Sequence, residues 1–284
     1  MDSLNVGGNG GIRNVIVRDL NISGNGETGI HYSYAADDAV IEFSDIDISG
    51  SYEVPFYIHS QDNSVINLNN INIYADGISD IQAEDDSEIN ITNLYAESQV
   101  KTFNWVGGVG NGGVMNILGT ASFSNPSGTC FSMGGGAGDL YFKDAKINFE
   151  NCKLGFASSD PDVALYNSQM TIKNSGTGIS SNRITLNDSS LAIENTPISI
   201  AIRSLDLKNS IVSVKGAEQV FKSSNTTLTI SLTNSTLKIS EPVDSNNYIL
   251  GLKTSNFDIN LRDSSIYLDE GNIYFTYVYL YGDN

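Results

Sequence analysis

The sequence is poor in proline, cysteine, tryptophan and positive charge. Its 284 residues include 5 Pro, 2 Cys, 1 Trp and 15 Lys or Arg, against 33 Asp or Glu. Two cysteines are too few for a disulfide scaffold. A net charge of −18 repels nucleic acid phosphates and anionic membrane surfaces. We therefore expect no nucleic-acid partner.

Long apolar runs are also missing. No stretch approaches the roughly 18 apolar residues of a membrane-spanning helix, and the first four residues are not typical of a signal peptide. We expect no direct membrane insertion. Because the repeat described below is under way by Val15 and continues to Ile266, we expect residues 1–284 to be a single β-solenoid binding domain excised from a longer surface protein.

One short pattern recurs along the whole sequence: apolar, any, apolar, any, Asp or Asn, any, any, apolar. Its eleven copies begin at Val15, Ile41, Ile66, Ile89, Met115, Leu140, Val163, Ile184, Leu205, Ile230 and Ile259, at intervals of 21 to 29 residues. The first and third positions are apolar in every copy, as in a strand with one face in a core. The repeat therefore predicts an all-β fold, a right-handed single-stranded parallel β-helix (β-solenoid) of about eleven coils.

The fifth position of the repeat predicts a tight corner in each coil. It holds Asp19, Asp45, Asn70, Asn93, Asp144, Asn167, Asp188, Asn209, Asn234 and Asp263, and Gly119 in the fifth copy. These residue types tolerate the left-handed backbone conformation that such a corner requires. Stacked amides and carboxylates can also form a hydrogen-bonded ladder between coils. We therefore interpret these residues as a structural corner ladder and not as catalytic groups.

About 25 residues per coil with Asn or Asp at the corner resembles the pectate-lyase-like superfamily of β-helices. The segments SYEVPFYIHSQDNSVINLNNINI (residues 51–73) and GNGGVMNILGTASF (residues 110–123) are similar to adhesive modules of Gram-positive surface proteins, such as the binding region of lactobacillus serine-rich repeat adhesins. The resemblance implies a non-catalytic, extracellular adhesin region, anchored to the cell wall in the full-length protein. Its motifs are architectural, so the function needs separate evidence.

The alternative within the same superfamily is a pectin-type polysaccharide lyase or hydrolase. Hydrolysis needs two carboxylates held about 5 to 9.5 Å apart. The doublets Asp37, Asp38 and Asp85, Asp86 precede copies of the repeat, without a His or Arg nearby, and are interpreted as solvated turn acids. No zinc-binding spacing or phosphate loop stands out. We expect no catalytic residues, no metal and no cofactor, and leave a calcium site open.

The best ligand-binding candidates are aromatic residues that precede copies of the repeat. Counting back from Ile41 and Ile66, Tyr32 and Tyr57 fall nine residues before a copy, and Tyr34 and His59 fall seven before. This spacing predicts an outward two-by-two panel, a common platform for sugars, unless the rings pack under a loop. With its extension, the candidate site comprises Tyr32, Tyr34, Tyr57, His59, Lys101 and Trp105.

A second candidate surface is the fourth repeat position, which should face solvent. It holds Lys143, Tyr166, Lys208 and Arg262, a stripe that could receive an acidic polysaccharide or be an ordinary solvated face. The expected partner is a polysaccharide such as pectin or polygalacturonate, or a host glycoprotein or mucin.

Acidic pH should strengthen such binding. Carboxylates lose their charge near pH 4, and His31 or His59 would gain charge on the way. We expect a monomer; a phage or structural fibre segment, the third reading, would instead trimerise.

Two features leave alternatives open. Cys130 and Cys152 lie roughly one coil apart, so they can form a disulfide or remain two small buried thiols, and the second reading is favoured. The tail from Asn272 to Tyr281 alternates aromatic with smaller residues, which is typical of a final rung or a cap, or of a cut surface.

Overall fold

The computed structural model describes residues 4–7, 14–33, 39–60, 63–77, 79–98, 103–107, 113–134, 138–158, 163–222, 227–241, 243, 248–250, 256–269, 272–273 and 277–282. These ranges consist of strands joined by turns and bends. Over the same ranges, no helix has the length and apolar character needed to cross a bilayer.

Each coil has three sides, numbered here in chain order from the start of a repeat copy. Two strands bend through all three sides, Asn14–Ser33 and Val40–Ser60. Four strands cover the first and second sides: Val65–Asp76, Glu88–Glu97, Val114–Ser124 and Asp139–Glu150. Third-side strands are Leu4–Gly7, Ser79–Ala83, Phe103–Gly107, Thr129–Gly134, Leu154–Ser158, Thr177–Ser180, Ile198–Ala201 and Gln219–Lys222.

From Val163 onward the strands are shorter and break at the corner. The first side is formed by Val163–Tyr166, Arg183–Asn187, Ser204–Lys208, Thr227–Thr233, Asn256–Arg262 and Tyr277–Gly282. The second side is formed by Gln169–Lys173, Ser190–Glu194, Ile211–Lys215, Thr236–Ser240 and Ser265–Asp269. Tyr248–Leu250 and Asn272–Ile273 pair as a separate two-stranded sheet. The segment Tyr277–Gly282 adds a final rung to the first side.

The eleven repeat copies stack in parallel and in register. Val15 pairs with Ile41, Ile41 with Ile66, and the pairing of first positions continues to Ile230 with Ile259. Period-two burial on every side therefore points into one shared interior. The fold is an all-β parallel β-solenoid, which confirms the fold class that the repeat predicts and is consistent with a pectate-lyase-like β-helix.

The closed part of the solenoid is shorter than the repeat count predicts. About eight turns, from Val40 to Lys222, have all three sides in one sheet and fully buried first and third repeat positions. In the first turn Val15 and Val17 are only half-buried, and near the other end Leu261 is also half-buried. The outer first-side strands extend the ladder, but they have fewer neighbours to cover their apolar face.

Large aromatic side chains fill the interior between the three sides. Phe123 stacks on Phe149 with ring centroids 5.0 Å apart, and Phe131 stacks on Phe156 at 5.5 Å. All four rings are at most 1% exposed. Burying each ring contributes several kilocalories per mole at about 25 cal/mol per Å². The inside of the coil is therefore occupied by packing, and ligands are left to its outer sides.

The predicted corner conformation is present at all eleven fifth positions. Their φ angles lie between 46° and 65°, in the left-handed region. Amide groups link the corners of neighbouring coils: Asn70 Nδ2 donates to Asp45 Oδ1 at 2.8 Å, and Asn234 Nδ2 donates to Asn209 Oδ1 at 2.9 Å. These side chains are committed to hydrogen bonds along the solenoid axis.

A serine stack lies beside these corners, at the sixth position of the repeat, for which the pattern predicts no residue type. Ser168, Ser189 and Ser210 are nearly fully buried. The backbone N–H of Ser168 donates to Ser189 Oγ at 3.1 Å, and the N–H of Ser189 donates to Ser210 Oγ at 3.1 Å. Each hydroxyl also donates to a carbonyl of its own coil, as Ser189 Oγ does to Asn187 O at 2.6 Å. Each serine hydroxyl thus provides a hydrogen-bond partner for a backbone N–H of the neighbouring coil and for a carbonyl of its own coil.

The two cysteines form a disulfide, so the favoured reading of two buried thiols is wrong. Cys130 lies in a third-side strand, and Cys152 lies in the turn that precedes the third side of the next coil. Stacking brings their Cα atoms to 5.8 Å, within the range of disulfide geometry. The bridge connects two neighbouring turns in the middle of the solenoid.

Candidate functional site

Two of the predicted ligand-binding residues lie on the outer surface of the third side. In the strand Val40–Ser60, Phe56 and Ile58 are buried, and the alternating Tyr57 and His59 are half-buried on the opposite face. This arrangement follows from the period of two, because neighbouring side chains of a strand point to opposite faces.

The predicted two-by-two aromatic panel has the wrong register. Tyr57 pairs with His31, and Tyr32 pairs with the buried Ile58. The cause is a connection that is one residue longer in the first coil, with ten residues from His31 to Ile41 but nine from Tyr57 to Ile66. The observed pair is edge-to-face, with the His31 and Tyr57 ring centroids 4.9 Å apart.

The remaining predicted residues fall outside the described site. Tyr34 and Lys101 lie outside the described residues, as do the side chains of Tyr32 and Trp105. The backbone of Trp105 is in register with Ile81 and Met133, whose side chains are buried. The described site is therefore built around Tyr57 and His59.

A polar row from the next coil completes this surface. Asp80 pairs in register with Tyr57, and Gln82 pairs with His59. Gln82 Nε2 donates to Asp80 Oδ2 at 3.3 Å, and His59 Nε2 lies 3.5 Å from Glu84 Oε1. We name these residues the third-side cluster: His31, Tyr57, His59, Asp80, Gln82 and Glu84.

Electrostatics show that both carboxylates act on the Tyr57 hydroxyl. Burial raises the pKa of Tyr57 most, and the negative charges of Asp80 and Glu84 raise this pKa further. The phenol therefore stays protonated and remains available as a hydrogen-bond donor. The cluster offers ring edges, two imidazoles, an amide and carboxylate oxygens within three adjacent coils, and both histidines of the sequence belong to it.

Sequence reasoning missed Asp80, Gln82 and Glu84. The signal was present, because Ile81 is apolar between two polar neighbours and falls in register with Ile58. Nothing in the local sequence, however, says that this row lies beside the Tyr57 row.

The stripe at the fourth repeat position is on the surface. Tyr166 is 40% exposed, and Lys208 and Arg262 are also exposed. Lys143 Nζ lies 4.8 Å from the centre of the Tyr141 ring, which in turn lies 6.0 Å from the Tyr166 ring. A cation over an aromatic face is attracted to it. The stripe thus combines positive charge with rings on neighbouring coils.

Further along the third side there is an open depression of about 370 Å³. Its lining combines hydroxyl-bearing residues such as Thr177 and Ser180 with the apolar Leu154 and Ile198 and the basic Arg203. The depression covers three successive coils, so its length follows the solenoid axis.

Of the remaining carboxylate candidates, Asp85 and Asp86 are exposed in the turn that follows Glu84, and Asp37 and Asp38 lie outside the described residues. Within the described part of the chain, no three His, Cys, Asp or Glu side chains are grouped as a metal ion would require.

Comparisons with known proteins return no match: no protein-family model fits the sequence, and neither a curated protein nor a solved structure is significantly similar to it.

Proposed function

We propose that this chain is the non-catalytic binding region of a bacterial cell-surface adhesin, and that its third side binds carbohydrate. The third-side cluster carries this proposal. Tyr57 presents a half-buried ring beside His31, and hydrogen-bonding groups of His59, Asp80 and Gln82 lie on the same surface. Sugar-binding sites combine an apolar ring face with a few placed polar groups in this way.

The expected ligand is an acidic polysaccharide such as pectin or polygalacturonate, or a host mucin glycan. The stripe of Lys143, Lys208 and Arg262 supplies positive charge on the first side. The depression on the third side supplies a track along the axis, suited to an extended chain. With a net charge of −18, the protein repels anionic glycans at neutral pH, and protonation of carboxylates weakens this repulsion.

The disulfide supports an extracellular location. Structural disulfides form and persist mainly in oxidising environments outside the cytosol. The Cys130–Cys152 bridge is therefore compatible with a surface protein, which we propose to be anchored to the cell wall in its full-length form.

Binding measured from pH 7 to pH 4 tests this proposal. We expect polygalacturonate or mucin glycans to bind more tightly at the acidic end, and the Tyr57→Ala variant to lose about tenfold or more in affinity. Tyr267→Ala is the matched control, because Tyr267 is 53% exposed on the second side of a distant coil. Affinity that does not rise at acidic pH, or that is equal in both variants, contradicts the proposal.

A second candidate function is hydrolysis or lysis of pectin-type polysaccharides. One observation favours it: His59 contacts Glu84 at 3.5 Å, and Asp80 belongs to the same cluster, so acids and a potential proton carrier meet on one surface. Incubation with polygalacturonate, followed by assay of reducing ends and unsaturated products, separates the two functions. Product release that is abolished by Glu84→Gln would replace the adhesin proposal with an enzymatic one.

A further inference from the structure

A tilted tyrosine pair lies on the second side, away from the third-side cluster. The Tyr74 and Tyr95 ring centroids are 5.0 Å apart with an interplanar angle of 34°. Tyr74 is 51% exposed, and Tyr95 on the neighbouring coil is half-buried. An exposed ring in contact with a second ring on the next coil forms an apolar platform.

A fixed carboxylate stands beside this platform. Glu97 pairs in register with Tyr74 on the neighbouring coil. The Tyr95 hydroxyl donates to Glu97 Oε2 at 2.8 Å. Burial, then this hydrogen bond and the nearby charge, raise the pKa of Tyr95 to about 12, so the hydroxyl stays a donor at physiological pH. Glu97 is thereby oriented through one of its two acceptor oxygens.

The platform and the carboxylate border an open pocket of about 330 Å³. Its described lining is Gly50, Tyr74, Ala75, Asp76, Glu97 and Ser98. A Cβ atom added at Gly50, whose φ is +130°, would meet Gly24 O at 1.9 Å, so this wall must remain bare backbone. The volume is within the range of small-molecule sites, about 300 to 1,000 Å³.

The charge of the pocket selects among sugars. Among the described lining residues there are two carboxylates, Asp76 and Glu97, and no basic residue. Carboxylate oxygens accept hydrogen bonds from sugar hydroxyls but repel a uronate or sialate carboxylate. This preference is opposite to that of the basic stripe on the first side.

We propose that this second-side pocket binds a pyranose unit without negative charge. The sugar ring stacks on Tyr74, and the sugar hydroxyls donate hydrogen bonds to the Glu97 carboxylate. The proposal rests on the proposed carbohydrate-binding function and adds a second subsite with a different sugar class. A glycan of mixed composition can then contact two sides of the solenoid through chemically distinct units.

Calorimetric titration of the full chain with a panel of hexasaccharides tests the subsite. The neutral probes are hexamers of glucose, mannose, galactose and N-acetylglucosamine, and the anionic probe is hexagalacturonate. We expect at least one neutral hexamer to bind, Tyr74→Ala to weaken it at least tenfold, and Tyr74→Phe to retain it because the ring is kept. Glu97→Gln and Tyr95→Phe should each weaken it about threefold to tenfold.

Tyr267→Ala is the matched control, since Tyr267 is equally exposed on the same side but far from the pocket. It should bind the neutral hexamer as the parent protein does. The inference is overturned if no neutral hexamer binds, or if Tyr74→Ala binds as the parent does. If polygalacturonate or mucin binding still depends on Tyr57, only the inference fails; if no glycan binds at any pH, the proposed function fails as well.

Discussion

The turns before Gly119 and the turns after Asn167 form the same corners with different side chains. In the N-terminal turns the residue after the corner Asp or Asn is apolar, as with the buried Ile46 and Ile71. In the C-terminal turns it is a serine, as with Ser189. The apolar residue adds to the core, whereas the serine satisfies backbone groups of two coils. Corners of one geometry can therefore be stabilised by burial or by hydrogen bonding.

The two regions also differ in outer surface, whereas coil length varies within each of them. Corners are 25 and 23 residues apart between Asp45, Asn70 and Asn93, 21 apart between Asp188 and Asn209, and 25 apart again between Asn209 and Asn234. The third-side cluster and the second-side pocket lie in the N-terminal coils. The open depression lies in three later coils and is lined by hydroxyl-bearing residues together with Leu154, Ile198 and Arg203. The N-terminal coils thus present aromatic and acidic groups, and the later coils present an elongated depression.

The largest effect is expected at the turn that leads from the second to the third side. Gly77 and Asn174 both stand eleven residues after a repeat start, with φ of +124° and 50°. At Gly77 a Cβ atom would lie 2.1 Å from Tyr52 O. Gly77→Ala should therefore cost about 3 to 5 kcal/mol of unfolding free energy, and Asn174→Ala only about 1 to 2. Urea unfolding of both variants measures this; equal losses would contradict the distinction between the regions.

Next in size is the residue after the corner. Ile71→Ala should cost about 2 to 5 kcal/mol, because it leaves a cavity in the core. Ser189→Ala should cost about 1 to 3 kcal/mol, because the Ser168 N–H loses its acceptor. Ser189→Thr keeps the hydroxyl and is the matched control for the second variant. Denaturant unfolding measures both variants. If Ser189→Thr is as unstable as Ser189→Ala, loss of the hydrogen bonds is not the cause of the destabilisation.

The disulfide joins turns at the boundary between the two regions. Replacing both cysteines, Cys130→Ser with Cys152→Ser, should cost about 2 to 4 kcal/mol, since the bridge closes a loop over a sequence separation of 22 residues. Addition of a reductant should lower the melting temperature of the parent protein to that of the double variant. The melting temperature of the double variant should not change. A parent melt that is insensitive to complete reduction would contradict a stabilising bridge.

The smallest effect concerns the tyrosine pair in the N-terminal region. The pKa of Tyr95 is raised to about 12, so the folded state holds this proton more tightly than the unfolded chain. Its stabilising contribution is complete below the ordinary pKa near 10 and is lost as pH rises from about 10 to about 12. Ultraviolet titration should show a tyrosinate step near pH 12 that Tyr95→Phe removes and Tyr267→Phe keeps. A late step that persists in Tyr95→Phe assigns it to another tyrosine.

The fold was predictable because its signal is local and repeated. Each copy has two apolar residues in alternate positions before the corner, such as Ile41 and Phe43 before Asp45. This alternation is typical of a strand with one buried face. The count of closed turns was overestimated because a copy of the pattern does not reveal whether neighbours cover all three of its sides. Val15 and Leu261 match the pattern as well as Ile41 does, yet only Ile41 is fully buried.

The candidate site was only half predictable. Alternation placed Tyr57 and His59 on the surface, but the His31 partner depends on a connection that differs by one residue between coils. Such a difference flips every side chain to the other face. Asp80 and Glu84 were missed because their importance comes from stacking beside Tyr57, which lies more than twenty residues earlier in the sequence.

Neighbouring coils lie about 4.8 Å apart, because this is the spacing of hydrogen-bonded strands whatever their outer side chains are. The stacked serines and corner amides follow the same spacing. Positions along the solenoid axis therefore change in steps of one coil. A gain or loss of one 21-residue coil, the length between Asp188 and Asn209, would keep the corner ladder in register and move every later coil by one coil height along the axis. Gain or loss of coils can then change the axial distance between binding surfaces in whole multiples of the coil height.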